Sequence, residues 1–598
     1  MQALSQLFRP SVRSEGRSAL DIGSATSNQD AVESHGAYMR VSFAQLSGHT
    51  PDGEQMPSSF LDYLRSEKTS LSVVAMVWAA IYLFMIFTTD VHYFYSLFFA
   101  DPLLYYLHGW YLLHFHTTAA RLADNIPPFS YVGLPGYARI PFMAASRDFA
   151  LQLRLIQVSN VALLCGVGLL CSYLLSLGVP AKWRRLSGPW IFGILLLSTS
   201  WETNVFFPLS DSLFSLCFCG AIVAIRPHQR CPDGFRLKRR IVLAGLLVMA
   251  AASIKFFGFL LPIYAALCWK REIRGREAMR KAISILLCFG VLVSGVALSM
   301  WKTILAYGSI WLHRIAITGF SDWILNLGAV SIPCQIVPSF YYLYSRSFTK
   351  QFLFFNWFGS WRDILVCIAG FGITALVAVG AFRLRKIFLP EIWMFLLMLF
   401  VAAPMTTSTT RYLLPMQFLT ISCFLCGARH VFGRWTGALE DHRYVAVVTL
   451  SALLLAIGLL HGVGSKGRFS SSISSLRGAQ ENVASTYKAL DLFLARLDVD
   501  KTRLLYFSAD PGSGKWTAIR SLHYVAPDAG LQSLVRESQV YAVFDQPRRV
   551  DLDYIRDDDS AMLATLSQWG RFNVEKVLDA SNSNAYGRVY RITSADAK

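Results

Sequence analysis

Apolar runs that are too long for ordinary soluble helices are the strongest constraint on this chain. Four of them cover residues 71–88, 152–178, 207–225 and 443–460. A helix needs about 20 mostly apolar residues to cross a bilayer core, and all its backbone polar groups must be satisfied internally. Because 54% of the 598 residues are hydrophobic and the mean hydropathy is +0.41, an arrangement of soluble domains alone is excluded. The sequence therefore predicts an all-α polytopic membrane protein.

About eleven segments are predicted as transmembrane helices, and the loops between them carry an uneven charge. Residues 70–462 hold 32 Lys and Arg but only 14 Asp and Glu, so the whole net charge of +18 lies there. Basic clusters recur on the side of the N-terminus, which the positive-inside rule makes cytoplasmic. These clusters lie near 182–185, 226–240, 270–281, 383–386 and 429–443. The predicted spans lie near 71–88, 152–178, 188–200, 207–225, 241–253, 256–269, 283–304, 363–381, 388–403, 411–427 and 443–461.

Three regions follow from this topology. Residues 1–69 mix serine, glycine and both charges without an early apolar core, which predicts a disordered cytoplasmic tail and no signal peptide. Residues 70–462 form the multi-spanning domain, with large outward loops at 89–151 and 305–362. Residues 463–598 show apolar alternation in RLLYFSA, QVYAVFDQP and GRVYRIT, with helix-like stretches near 480–497 and 558–570. They predict a small external α/β domain. Neither soluble end carries a basic patch, so nucleic acid is not an expected partner.

Two acidic residues lie where this topology meets the outer membrane face, and ionisable groups at such a depth usually mark function. Asp90 ends the first span in FTTDVHYFYSLF. Its carboxylate could accept a proton from a hydroxyl, or it could simply be a helix end that meets water. Asp211 opens the fourth span in FFPLSDSLF, where the helix dipole alone would also favour an acid.

Two basic residues lie at the same face. Lys255, in AAASIKFFGFL, has no acidic neighbour in sequence; it could bind an anion or extend its ammonium to the interface. Arg411, in MTTSTTRYLLPM, could hold a phosphate through two parallel hydrogen bonds or anchor the span. Together with the two carboxylates, these cations predict a site for a phosphorylated lipid and a hydroxyl acceptor. Lys255 and Arg411 would bind the phosphate, and Asp90 would activate the acceptor.

Further candidates for the same site are His92, Glu202 and Tyr412. The first outer loop holds four histidines, His92 among them. Positions on a helix face or at the membrane interface account for such histidines more simply than a metal cluster does. We therefore expect neither a metal nor another cofactor.

The stretch SADPGSGKWTAI, residues 508–519, approaches the pattern of a phosphate-binding P-loop. A P-loop has Ser or Thr directly after its lysine, where the hydroxyl binds magnesium, but Trp516 follows Lys515 here. Ala509 also stands where the motif has its first glycine, and the topology places the stretch outside the cytoplasm. It predicts a glycine-rich loop after a strand, and not an ATPase or GTPase.

Several segments, taken in order, resemble the GT-C superfamily of polyprenyl-phosphate-sugar glycosyltransferases. They are Asp90 after the first span, LPGYARIPF, FFPLSDSLF, AGLLVMAAASIKFFGFLLP and TTRYLLPMQFL, and the resemblance covers about residues 70–430. The chain departs from the family pattern in having Lys255 where Arg is usual and Asp211 where Glu is usual. LPGYARIP matches the proline-rich family element only loosely.

The resemblance implies a GT-C-like fold and a sugar donor carried on a polyprenyl phosphate. It implies an inverting single displacement with Asp90 as the base, at the periplasmic or lumenal face, onto a glycan, lipid or protein acceptor. Many relatives of this type need no metal. The chain has no Asn-x-Ser/Thr sequon, which favours a bacterial inner membrane, with the N-terminus cytoplasmic and the C-terminal domain periplasmic.

Other functions remain open from the sequence. A flippase or transporter of lipid-linked sugars would show inverted repeats and helices broken at mid-membrane. No internal repeat is visible, and the ionisable residues cluster at one face. A glycan polymerase or ligase would use the same kind of donor. A binding module with a membrane anchor would not need eleven spans.

Overall fold

Among the residues that it describes, the structure, a computed structural model, shows helices up to residue 435 and then a short helical stretch and a small β-sheet near the C-terminus. It describes residues 59–88, 91, 138–146, 149–179, 181–197, 204–206, 210–226, 234–272, 276–299, 305, 308, 312, 326–336, 361–402, 412–435, much of 485–498, 501–509, 516–521, 535–536, 538–547, 571–582 and 585–595.

The helices are numbered here in chain order. Short 3-10 turns lie at Ala181–Leu186, Phe256–Leu260 and Leu414–Met416, and a π-helical turn lies at Asn326–Ser331. The α-helices are α1 Phe60–Ser66, α2 Lys68–Thr88, α3 Ile140–Ala144, α4 Phe149–Ser176, α5 Ser187–Leu197, α6 Asp211–Ile225, α7 Gly234–Ile254, α8 Leu261–Glu272, α9 Arg276–Ser299, α10 Ile332–Ile336, α11 Trp361–Ala402 and α12 Gln417–Trp435.

Three of the described helices combine the length and the hydropathy needed to cross a membrane. They are α2, the Ala150–Ser176 part of α4 and the Cys367–Ala402 part of α11. Shorter apolar stretches lie at Asp211–Ile225, Arg240–Ile254, Phe256–Cys268 and Leu287–Leu298. The chain therefore has helices compatible with membrane insertion, but the described residues do not establish eleven spans. The eleventh predicted span and most of the two predicted outer loops lie outside them.

The surface of α2 shows why these helices suit a membrane. One face buries Trp78, Tyr82 and Ile86, whereas Met76 and Phe84 on the opposite face are 62% and 69% exposed. A helix on the surface of a soluble protein carries polar residues on its outer face. An outer face of large apolar side chains is instead what contact with lipid requires.

Helix α11 consists of two helices that meet at a kink at Phe388 (φ −116°, ψ 25°), where the second of two predicted spans begins. The basic segment 383–386, predicted as a loop between them, is instead the helical end of the first. Leu, Arg and Lys are good helix formers, so the basic segment contains no stop signal. Pro390 lacks an N–H and its ring clashes with the preceding turn, which accounts for a break at this place.

Helix α1 lies within the predicted disordered tail. Ser59 caps it by accepting a hydrogen bond from the Asp62 N–H at 3.2 Å. Tyr63 is buried and its ring centroid lies 5.7 Å from that of Tyr173 in α4. Packing against α4 therefore orders a segment that its polar sequence predicts to be part of a disordered tail. Residues 1–58 lie outside the described part of the chain.

Five strands form one sheet near the C-terminus, in the order β2-β1-β3-β5-β4. The β1–β3 pair is parallel and the other neighbours are antiparallel. The predicted strands in RLLYFSA, QVYAVFDQP and GRVYRIT are confirmed as β1, β3 and β5, whereas β2 and β4 were not predicted. Both are edge strands. In β4 an acidic and a basic residue stand side by side, and they interrupt the alternation of apolar and polar residues by which a strand is recognised in sequence. The strands are β1 Thr502–Ala509, β2 Trp516–Ser521, β3 Gln539–Pro547, β4 Phe572–Asp579 and β5 Ala585–Ser594.

The helical residues before β1 pack on this sheet, as expected of a small α/β unit. The Thr486 hydroxyl donates to the Ala580 carbonyl at 2.8 Å. The Phe493 ring lies 5.8 Å from the Tyr541 ring, edge to face. The predicted helix-like stretch near 558–570 lies outside the described residues. The placement of the domain outside the membrane also stays a prediction.

The glycine-rich stretch lies between two strands of a hairpin. Ala509, the last residue of β1, pairs with Trp516, the first residue of β2, in antiparallel register. A P-loop leads from a strand into a helix, whose N-terminus helps to bind phosphate. The strand–loop–strand context therefore differs from that of a P-loop, in agreement with the sequence prediction. Residues 510–515 themselves lie outside the described residues.

Helices α11 and α12 approach each other closely at two glycines. A Cβ atom at Gly380 would overlap the main-chain oxygen of Cys423, and a Cβ atom at Gly427 would overlap that of Leu376. Small residues at a crossing allow two backbones to meet, which is a common way for helices to associate in membranes. The crossing therefore has no room for a side chain at either position.

We expect Gly380→Val to destabilise the protein by at least the roughly 1–3 kcal/mol typical of overpacking, because the clash is with a backbone that cannot rotate away. The measurement is the thermal midpoint of the full chain in detergent. Gly372→Val on the same helix is the matched control, since a Cβ atom there meets nothing within 4 Å. Equal midpoints for the two variants would contradict the close crossing.

Candidate functional site

Lys255 lies in the turn between α7 and α8. It ends α7 by donating its N–H to the Ala251 carbonyl at 3.0 Å, and its own carbonyl accepts from the Gly258 N–H at 2.9 Å. Gly258 lies so close to the end of α7 that a Cβ atom would overlap the backbone of Ala251 and Ala252. The glycine thus permits the tight turn that holds Lys255 at the end of α7, the end that the sequence predicts to face outward.

Lys255 forms an ion pair with Asp211, the first residue of α6. The Lys255 Nζ contacts Asp211 Oδ1 directly, and the two side chains are only 7% and 3% exposed. The first turn of a helix favours a carboxylate, and a buried charge requires a partner of opposite sign. No acidic residue neighbours Lys255 in sequence; folding brings one from 44 residues away.

Aromatic rings enclose the same ammonium. The Lys255 Nζ lies 4.8 Å from the ring centroid of Tyr412 and 6.0 Å from that of Phe214. The Tyr412 ring packs on Phe257, with centroids 5.3 Å apart. Cation–π attraction at such distances becomes stronger when water is excluded. The rings therefore stabilise the buried ammonium together with the carboxylate.

Three predicted site residues, Asp211, Lys255 and Tyr412, are thus neighbours in space although they lie far apart in sequence. They are the only predicted site residues within the described part of the chain. The other candidates lie outside it: Asp90, His92, Glu202 and Arg411. Arg411 directly precedes Tyr412 in sequence.

The cluster can act chemically as an anion site whose cation is held in place by a carboxylate. An ammonium has three N–H donors, so a contact with one carboxylate does not by itself exclude a second acceptor. Asp211 nevertheless offsets the charge of Lys255. A phosphate would therefore bind well only if another cation joined the site, and Arg411 is the candidate nearest in sequence.

A second buried polar cluster lies at the other end of α6. Arg226 donates through Nη1 to Glu391 Oε1 at 2.9 Å and through Nη2 to the Ile387 carbonyl at 3.0 Å. The Tyr264 hydroxyl donates to the same Glu391 oxygen at 2.9 Å. This guanidinium thus binds both a carboxylate and a main-chain carbonyl at the turn that Pro390 interrupts, and it ties α6 to the break in α11.

Among the described residues inside predicted spans, the buried Glu391 and the half-buried Arg154 are ionisable but were not among the predicted site residues. Both lie inside predicted spans, at 152–178 and 388–403. The signal that could have identified them is the rarity of charges within apolar helices. Arg154 donates to the Ile86 carbonyl in α2.

Metal ligation is not supported by the described residues. Among them, no group of three or more His, Cys, Asp and Glu is arranged to hold a metal ion. His92 and the other histidines of the first outer loop lie outside the described part of the chain. The expectation that the protein uses no metal therefore stays a prediction.

We expect Lys255→Met to destabilise the protein more than Lys255→Met/Asp211→Asn does. Removing one partner of a buried ion pair costs about 3–5 kcal/mol, whereas the double variant leaves no buried charge. The measurement is the thermal midpoint of the full chain in detergent. Lys576→Met is the control, because Lys576 forms an exposed pair with Asp579 at 3.4 Å, of a kind worth about 0–1 kcal/mol. A double variant no more stable than Lys255→Met would contradict the pairing.

No known protein-family model matches the chain, and no curated protein matches it in sequence. Two kinds of observation therefore bear on its function: the order of the sequence motifs, and the geometry of the cluster formed by Asp211, Lys255 and Tyr412.

Proposed function

We propose that the chain is an integral membrane glycosyltransferase of the GT-C type. It transfers a sugar from a polyprenyl-phosphate donor to an external glycan, lipid or protein acceptor. The observation that carries this proposal is the meeting of Asp211, Lys255 and Tyr412 in one buried cluster. These residues belong to three of the segments that carry the resemblance, so three segments that lie far apart in sequence meet at one place.

The proposed reaction is a single displacement with inversion at the anomeric carbon. The acceptor hydroxyl attacks this carbon while Asp90 takes the hydroxyl proton. The bond between the anomeric carbon and the phosphate oxygen breaks on the opposite face, and the lipid phosphate leaves with the electron pair. Lys255 and Arg411 bind the phosphate and stabilise its developing charge. Asp211 orients the Lys255 ammonium, and the reaction as proposed uses no metal or other cofactor.

The proposed setting is a bacterial inner membrane with the site at its periplasmic face. The support is the repeated placement of basic clusters on one side of the predicted spans, together with the absence of sequons. In this setting the N-terminal tail is cytoplasmic and the C-terminal domain lies on the same side as the acceptor.

A flippase for lipid-linked sugars is the second candidate, because one observation favours it. Transporters build their sites at broken helices, and α11 is broken at Phe388, beside the buried pair of Arg226 and Glu391. A flippase moves the donor across the bilayer without breaking the bond to phosphate, so product analysis distinguishes the two. A glycan polymerase or ligase would cleave the same bond and differ in its acceptor.

We expect Asp90→Asn to slow sugar transfer by about 10²–10⁴-fold, because an amide cannot take the hydroxyl proton. Mass spectrometry of surface glycans in a deletion strain and its parent identifies the sugar, and the purified chain in liposomes is then assayed with polyprenyl phosphate carrying that sugar. Glu575→Gln, which removes an exposed carboxylate from β4, is the control. Near-normal turnover by Asp90→Asn would rule out the aspartate base. Donor that crosses the bilayer intact in the wild type would favour the flippase.

We expect Arg411→Ala to weaken binding of polyprenyl phosphate by tenfold or more, since a hydrogen bond to a charged group is worth about 1.5–3 kcal/mol. Lys255 is tested in the variant Lys255→Met/Asp211→Asn, which removes the cation without leaving its carboxylate buried alone. Binding to the full chain in nanodiscs is measured with the lipid phosphate itself. Unchanged affinity in both variants would remove the phosphate site, whatever the outcome for Asp90.

A further inference from the structure

Two basic segments that the sequence places on the cytoplasmic side meet in the folded chain. Arg383 lies in the first of the two helices of α11, and it contacts His430 of α12 through Nη2 and Nε2, 2.7 Å apart. Arginine has only donors, so the histidine nitrogen accepts this hydrogen bond. The two residues are 47 positions apart in sequence. Their meeting is therefore a property of the fold and not of either basic segment.

The close crossing of α11 and α12 accounts for this contact. A Cβ atom at Gly427 would lie 3.1 Å from the Gly380 nitrogen, so the two backbones touch at these glycines. Arg383 follows Gly380 by three residues, and His430 follows Gly427 by three, which is about one helical turn in each case. The crossing thus brings the next turns of both helices together, and with them their basic side chains.

Three exposed cations form a basic patch at this place: Arg383 and Lys386 of α11, and Arg429 of α12. Lys386 lies three residues after Arg383, on the same side of the helix. The charges of Arg383 and Arg429 both act on Cys426, so the two guanidinium groups share one neighbourhood. Among the described residues, no acidic side chain forms an ion pair with either arginine. Like charges held close together repel, and so the patch favours a bound anion.

Apolar surface beside the patch indicates which anion fits. Phe382, next to Arg383 in sequence, is 62% exposed, and the Arg385 guanidinium lies 3.9 Å above its ring. Both belong to the Cys367–Ala402 stretch, which is long and apolar enough to cross a membrane. Exposed rings beside charged groups suit the level where acyl chains meet headgroups, whereas a small soluble anion needs no apolar neighbour.

We propose that Arg383, Lys386 and Arg429 bind the phosphate of an anionic phospholipid in the leaflet on their side of the membrane. The planar guanidinium groups match phosphate oxygens through parallel hydrogen bonds, and basic pockets between membrane helices bind such headgroups. A phosphate that contacts an arginine of each helix would hold α11 and α12 together at their crossing.

This lipid site is separate from the proposed site of sugar transfer. Arg226, just beyond the C-terminus of α6, binds the Ile387 carbonyl, four residues after Arg383. The ion pair of Asp211 with Lys255 lies at the N-terminus of the same helix. Because α6 has 15 residues, its two ends are about 22 Å apart. The inference therefore does not depend on the proposed function, and its test involves no sugar transfer.

The first part of the test uses the unaltered full chain in detergent. Phenylglyoxal modifies exposed guanidinium groups, and mass spectrometry of the peptides gives the rate at each arginine. We expect added phosphatidylglycerol to slow modification of Arg383 and Arg429 by about fivefold or more, and zwitterionic phosphatidylcholine to leave the rates unchanged. Arg65, whose side chain is 81% exposed, is the internal control. Equal protection of Arg65, or none at the patch, would overturn the proposal. Equal protection by inorganic phosphate alone would also overturn it, in favour of a small anion.

The second part compares two variants that lose the same charge. In Arg383→Gln/Arg429→Gln, we expect the mole fraction of phosphatidylglycerol that half-saturates the chain in mixed micelles to rise about tenfold or more, as native mass spectrometry measures it. Arg65→Gln/Lys68→Gln alters exposed residues on the same predicted side and should leave this mole fraction unchanged. An equal rise in both variants would show attraction by net charge alone and would overturn the site. If the patch variant fails to fold, the protection of the unaltered chain decides the question.

Discussion

Helix α6 is held at each end by a buried ion pair, and the candidate site depends on this restraint. Asp211 at its N-terminus binds Lys255, and Arg226 just beyond its C-terminus binds Glu391. An acid at the start and a base at the end of a helix both complement its dipole. The partners belong to different elements, the turn before α8 and the broken helix α11. The two pairs therefore determine the position of α6 along its axis, and with it the position of the cluster around Lys255.

Side chains that bind main-chain carbonyls hold the irregular places of the helical region together. Without water, an unpaired carbonyl is costly, so a helix end or break within an apolar layer needs a donor from elsewhere. Arg226 supplies one to Ile387 beside the break in α11, and Arg154 donates to the Ile86 carbonyl in α2. Arg226 thus occupies a position where the backbone of α11 lacks its own partners.

The sequence predicted most helices and three of five strands because their signals are local. Long apolar runs and alternating patterns depend only on neighbouring residues. The errors have equally physical origins: no stop signal interrupts the basic segment inside α11, and Tyr63 orders α1 through a partner in α4 that lies over a hundred residues away. At the candidate site, Asp211, Lys255 and Tyr412 were identified as polar or aromatic residues at predicted helix ends. Their mutual contacts were not identified from the sequence.

By itself the sequence determined that the chain consists of apolar helices followed by a small domain with strands, and it marked the residues whose polarity is costly in that setting. Only the tertiary structure decided that Lys255 is neutralised by Asp211, and that Arg154 donates a hydrogen bond to the main chain of another helix. The reason is that the composition of a segment determines whether that segment forms an apolar helix or a strand. The rotation and the axial shift of one helix against another are set by packing between distant segments. Which charge meets which partner is a consequence of that packing, and so it appears only in the folded chain.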